Sequence, residues 1–129
     1  MLISGVDIIE IARVERSIAR HGARFLDRIF TPQEQATCAG RAASLAGRFA
    51  VKEAVAKALG TGIGDIRWLD VEVMVAANGR PHLHLHRQAQ MLAAQLGLEE
   101  WSISISHTDS LAIGFAVALS GRHDEEDHE

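Results

Sequence analysis

Glu53 and Lys57 lie four residues apart in the segment Gly47-Arg-Phe-Ala-Val-Lys-Glu-Ala-Val-Ala-Lys-Ala-Leu-Gly-Thr-Gly-Ile-Gly64. On a helix that spacing puts both side chains on one face. A carboxylate and an ammonium so placed can form a plain ion pair, or can hold a metal ion and a phosphate side by side. Arg48 and Lys52 repeat the spacing on a second face. The rest of the segment is Ala, Val, Leu and Phe almost all round, the pattern of a buried helix. Turning Glu53 and Lys57 inward without partners would be costly, so the spacing predicts that they are satisfied, by each other or by a ligand. For Arg48 and Lys52 the simpler expectation is a solvated helix face; the functional one is phosphate binding. Gly60, Thr61, Gly62 and Gly64 follow. They suit a helix cap, and they would let a backbone approach a phosphate closely. No Lys-Ser or Lys-Thr follows in register, so this is not a Walker loop.

Asp7 stands between Val6 and Ile8 in an apolar stretch. Strand alternation can turn it to solvent, or it can join Glu53. Two carboxylates without a Cys or His pattern suit a hard divalent cation, Mg²⁺ most simply, with Mn²⁺ open. His107 ends a strand in which Ser102, Ser104 and Ser106 share one face. Ser106 and His107 are adjacent and point to opposite sides, which removes a Ser-His nucleophile pair. His107 remains a phosphate contact or a surface histidine. His82, His84 and His86 alternate with leucines and are expected on a solvent-facing strand side rather than around a metal. Cys38 is expected to pack.

These residues need elements to hold them. Leu2–Ile9 reads as a strand. Glu10–Arg20 carries Ile11, Val14 and Ile18 at helical spacing. Arg24–Phe30 is another short helix. Thr31-Pro-Gln-Glu34 is a capping box with Pro at the first helical position. The long helix spans about Ala42 to Leu59, with Gly60 at its end. Leu69–Ala76 alternates as a strand, Asn78-Gly79 is a hairpin turn, and Pro81–His86 is its partner. Arg87–Leu96 is helical. Trp101–His107 and Leu111–Leu119 are strands, the second buried. The order predicts an α+β domain over residues 1–120, an antiparallel sheet packed against helices. Residues 121–129, rich in acid, read as a disordered tail.

Bulk properties narrow the class. The 129 residues suffice for one core, and 47% hydrophobic residues exclude general disorder. Net charge is −4, and without the tail's five carboxylates it is +1, so a general nucleic-acid binder is excluded. One cysteine permits no intrachain disulfide. No apolar run is long enough to span a membrane, and the start lacks a basic stretch followed by an apolar one. The expected location is cytoplasmic.

Taken together, the segments resemble the short bacterial holo-[acyl-carrier-protein] synthases, a family of 4′-phosphopantetheinyl transferases. The resemblance rests on Gly5-Val-Asp-Ile-Ile-Glu-Ile-Ala-Arg-Val14, on Arg48 through Ile63 nearly letter for letter, on Asn78-Gly-Arg-Pro81 and on Ser104-Ile-Ser-His-Thr108. It covers about Ile3 to Leu119. The family often has another Gly where this chain has Ile3, and the acidic tail is not a family feature. The resemblance implies the 4′-phosphopantetheinyl transferase fold and transfer of phosphopantetheine from coenzyme A to a serine of apo-acyl carrier protein. Adenosine 3′,5′-bisphosphate would be released, in support of fatty acid biosynthesis. It further implies Mg²⁺ on Asp7 and Glu53, and Arg48, Lys57, Gly60, Thr61, Gly62 and His107 around the CoA phosphates. Glu53 and Lys57 would be the catalytic pair. Arg13, and with it Arg20, Arg24 and Arg28, would face the acidic carrier protein. A homotrimer with shared sites is implied too. The proton acceptor is Glu53 itself or a water on the metal. Rival functions are a non-catalytic CoA-binding module, a docking domain for acidic partners, and a metal phosphohydrolase that needs no carrier.

Overall fold

Strand β1, Leu2–Glu10, sends Ile3, Gly5, Asp7 and Ile9 toward the protein and Leu2, Ser4, Val6 and Ile8 outward. The computed structural model describes residues 1–121; the rest of the expected acidic tail lies outside the described residues. Helices α1 (Ile11–His21), α2 (Ala23–Ile29) and α3 (Pro32–Cys38) follow. Each has a local cause. Ile11 and Val14 are buried at helical spacing, Gly22 turns the chain at φ 55°, and Thr31 with Glu34 closes the expected capping box after which Pro32 opens α3.

The long helix α4, Ala42–Ala58, is the centre of the molecule. It gives Val51, Ala54, Val55 and Ala56, joined by Leu59 at its C-cap, to one apolar cluster and Leu45, Ala46 and Ala50 to another. The first cluster is completed by strands β2 (Val71–Val75) and β3 (Pro81–Leu85), helix α5 (Arg87–Gln95) and strands β4 (Leu98–His107) and β5 (Leu111–Ser120). The second lies between α4 and α1–α3. A helix shared by two cores must be apolar nearly all round, and that is its sequence.

All strand pairs are antiparallel, in the order β1-β5-β4 for one sheet and β2-β3 for the other. α4 crosses the larger sheet at three glycines. A Cβ on Gly47 would sit 2.5 Å from Ile105 Cγ2 on β4. One on Gly114 would collide with the backbone of Ala50 and Val51, and one on Gly5 with the Ala54 carbonyl. The missing side chains let helix and sheet backbones touch.

Two strand expectations are corrected. β4 begins at Leu98 rather than Trp101, because the turn at Gly97 (φ 73°) feeds the chain directly into pairing with Ser120 across a bulge. β5 is buried on one face only. Ala112, Gly114, Ala116 and Ala118 lie against α4, while Ile113, Phe115 and Leu119 are exposed. β1 and β4 flank β5, and among the described residues no helix covers its second face.

Candidate active site

Asp7 faces α4, because it shares strand parity with Gly5 and Ile9. The solvent-facing alternative for Asp7 is therefore overturned. Close contact at Gly5 brings the Glu53–Lys57 turn of α4 over β1. There Lys57 Nζ donates to Asp7 Oδ1 at 2.7 Å and to the Val6 carbonyl at 3.1 Å. Glu53 completes the group. Burial pushes its carboxyl above the ordinary range, the neighbouring Asp7 adds to the shift, and Lys57 and Arg13 oppose it. Lys57 is raised by its hydrogen bond to Asp7. Two adjacent carboxylates, one of them resisting ionisation, form an all-oxygen donor pair that gains from a divalent cation.

The inward placement of Lys57 is corrected: its side chain is 53% exposed. The inward charge of α4 is Lys52, expected on a solvated face and in fact fully buried against Glu34 at 2.9 Å. Arg48 is also buried. It donates to the Ser44 carbonyl at 3.2 Å, and its Nε has no hydrogen-bond partner among the described residues. Burial pushes the Cys38 thiol on α3 up, and the charge of Arg48 opposes that shift. Both corrections have one cause. Helices α3 and α4 pack along the Arg48–Lys52 face, a contact that helical spacing alone cannot reveal.

Gly60, Thr61 and Gly62 follow directly on Lys57 and α4. Gly60 N donates to the Lys57 carbonyl at 3.0 Å and Thr61 N to the Ala56 carbonyl at 3.1 Å, a Schellman cap. Gly62 N joins the same Ala56 carbonyl at 3.2 Å. The three N–H groups are thus engaged by the helix end, and what the loop offers a phosphate is close approach without side-chain bulk. His107 ends β4 in the row Ile9–Ala112–His107, two strand spacings or about 10 Å from β1. Its ring is exposed, with Nδ1 3.2 Å from the Thr108 carbonyl. The chain by itself thus gathers Asp7, Glu53, Lys57 and the charge of Arg13, and leaves Arg48 and His107 apart. His82 and His84 are exposed on the outer face of β3, and His86, half-buried, pairs with Glu72 at 2.8 Å.

Arg20 and Arg24 are exposed at the α1–α2 corner. Arg24 lines a cleft of about 370 Å³ with His21, Phe25, Arg28, Ile29 and Trp68. The Trp68 ring lies 4.6 Å from that of Phe49. Sequence reasoning passed over Trp68, whose only mark was an indole isolated between Gly64 and a strand.

The family profile of the 4′-phosphopantetheinyl transferase superfamily matches residues 4–116. The chain belongs to that superfamily. Among its relatives is a holo-[acyl-carrier-protein] synthase of Moorella thermoacetica, 49% identical over 128 residues, covering 97% of this chain and 99% of that protein. The crystal structure of Helicobacter pylori holo-[acyl-carrier-protein] synthase in complex with coenzyme A superposes with a TM-score of 0.84 at 34% identity, over 91% of this chain and 100% of that one. A Bacillus anthracis holo-(acyl-carrier-protein) synthase in complex with CoA (3′,5′-ADP) gives a TM-score of 0.76 at 33% identity, over 94% and 100%. The α+β architecture is that of these transferases. Among the described residues no helix is long and apolar enough to cross a membrane.

Proposed function

We propose that this chain is a Mg²⁺-dependent holo-[acyl-carrier-protein] synthase that moves 4′-phosphopantetheine from coenzyme A to a serine of apo-acyl carrier protein. The observation that carries the reading is the convergence of Asp7, Glu53 and Lys57 where β1 meets α4. Superfamily membership and relatives named for this activity support it. One transferase domain over residues 1–120, acting in the cytoplasm in fatty acid biosynthesis, follows from the same reading.

The carrier serine oxygen attacks the pantetheine-side phosphorus of CoA. A P–O bond forms, the bond to the 5′-phosphate of adenosine 3′,5′-bisphosphate breaks, and the serine proton leaves. Asp7 and Glu53 would hold Mg²⁺, whose charge would offset that of the pyrophosphate. Lys57, exposed and hydrogen-bonded to Asp7 and the Val6 carbonyl, can turn onto a phosphate oxygen where negative charge builds. The serine's proton would pass to Glu53 itself or to a water that Glu53 orients. The nucleophile belongs to the partner, so no Ser or Cys of this chain is required.

Arg48 and His107 stand apart from the Asp7 group of their own chain, and we assign them to the CoA phosphates of a site completed by a neighbouring copy. The uncovered face of the larger sheet supports such a neighbour. Leu2, Val6 and Ile8 are 68, 54 and 56% exposed beside Ile113, Phe115 and Leu119. A contiguous apolar face of this kind marks an interface. Three copies is the count that the resemblance implies. Arg13, Arg20 and Arg24 would face the acidic carrier.

Mass spectrometry of an apo-acyl carrier protein incubated with this chain, CoA and Mg²⁺ tests the proposal. The carrier should gain one phosphopantetheine. Free phosphopantetheine without carrier modification would instead favour a phosphohydrolase.

A further inference from the structure

Lys52 has no part in the chemistry above, yet it is completely buried. Its Nζ donates to Glu34 Oε1 at 2.9 Å, to the Trp68 carbonyl at 3.1 Å and, closely, to the Val71 carbonyl. Glu34 is equally buried. Its Oε1 also accepts from Thr31 N at 2.9 Å, and its Oε2 from Val73 N at 2.8 Å. Both charges are therefore fully hydrogen-bonded. Apolar residues of similar volume would serve stability about as well as such a pair. What the ions add is direction. Lys52 grips the carbonyl of Trp68, which opens the 3₁₀ turn Trp68–Asp70, and that of Val71 just after it, and so fixes the turn relative to α4.

Trp68 is the residue this fixes. Its carbonyl is held by Lys52, and its ring by Phe49, three residues earlier on the same helix. Its side chain is a wall common to two clefts, and Arg28 is the other common wall. One cleft, about 370 Å³, has Arg24 and Phe25; the second, about 390 Å³, has Ile63, Gly64 and Ile66. An apolar floor ringed by arginines fits a helix that shows acidic residues around one apolar anchor.

We propose that Lys52 and Glu34 are a positioning pair: they set Trp68 as the apolar floor of the carrier-protein docking surface between Arg24 and Arg28. The inference rests on the transferase reading.

Steady-state kinetics with apo-acyl carrier protein and CoA, varied separately, test it. Lys52→Met keeps chain length and loses all three hydrogen bonds. Glu34→Gln, with its amide oxygen in the Oε1 place, keeps the α3 cap and both Lys52–carbonyl bonds and removes the ion together with the hydrogen bond from Val73 N. Trp68→Ala removes the floor. Lys52→Met should raise the carrier KM by about fivefold, a change of ~1 kcal/mol. The CoA KM should stay within about twofold, a split that general loosening of the fold would not give. Glu34→Gln should move the carrier KM in the same direction by less. If Lys52 acts through Trp68, Lys52→Met/Trp68→Ala should be no worse for the carrier than Trp68→Ala alone. Parallel rises in both KM values, an unchanged carrier KM, or additive effects in the double variant would overturn the proposal. Should Lys52→Met not fold, Glu34→Gln and its combination with Trp68→Ala decide by the same criteria. A wild-type chain that modifies no carrier defeats the transferase reading itself; an active wild type with an unsplit response defeats this inference alone.

Discussion

Glu53 is pulled two ways: burial and Asp7 favour its protonated form, while Lys57 and Arg13 favour the carboxylate. A divalent cation beside both carboxylates would add to the pull of Lys57 and Arg13 toward the carboxylate. Glu53→Gln keeps the shape and removes the charge. Carrier modification should fall by about 10²-fold or more, while the metal-free variant should melt no lower than the wild type. Turnover by mass spectrometry across a Mg²⁺ series and a thermal melt in chelator read the two halves; near-normal transfer at low Mg²⁺ would remove Glu53 from the metal site. Lys57→Ala should lower kcat more than it raises the CoA KM, because its charge matters most as the phosphates gain charge. Glu72, on β2, gives a stability prediction. Burial would raise its pKa, but hydrogen bonds from His86 and Thr31 and the charges of His86 and His84 hold it below the ordinary value. A depressed carboxyl stabilises above its unfolded pKa and loses that contribution as pH falls through the folded value. Urea titrations should therefore show Glu72→Gln less stable than wild type at pH 7, with the gap closing in acid.

At the scale of elements, the position of Glu53 depends on how closely α4 lies on the sheet. Gly5 and Gly114 are the two points of backbone contact. Gly5→Ala puts a methyl group into the Ala54 carbonyl, and α4 must lift at the end that carries Glu53 and Lys57. The expected loss is about 1–3 kcal/mol in urea unfolding, together with weaker Mg²⁺ dependence of turnover. An unaltered midpoint would mean that the helix rises at no cost. The α1–α2 corner is an element of another kind, exposed and basic. Arg24→Glu should raise the carrier KM more than the CoA KM, with an effect that shrinks as salt is added. An equal effect on both substrates would take Arg24 out of the carrier surface.

For the molecule as a whole, the uncovered face of β1 and β5 is the dominant feature. Six large apolar side chains there are more than a third exposed in one chain. Phe115→Asp places a charge at the middle of that face, opposite Val6 and Ser104. Sedimentation should show wild-type trimer and Phe115→Asp monomer at micromolar concentration, with activity lost alongside assembly if sites are shared. A fully active wild-type monomer would defeat both the trimer and the shared site.

The order of elements was legible because each carries its own local signal: the capping box at Thr31–Glu34, the turn at Asn78-Gly79, the glycine after Leu59. The Glu53–Lys57 spacing and the resemblance of the surrounding segment pointed to the transferase. Local signals stop where two distant elements meet. Periodicity places Arg48 and Lys52 on one face of α4, but whether that face meets water or α3 depends on the path of a chain some eighteen residues earlier. The same limit applies to Asp7, whose inward turn follows from α4 crossing at Gly5, and to β5, whose apolar residues all read as buried although only one face has a helix against it. Sequence determined which residues are chemically able and which segments carry them. Tertiary structure alone decided which of them meet, because burial, pairing and pKa arise from contacts between segments far apart in the chain.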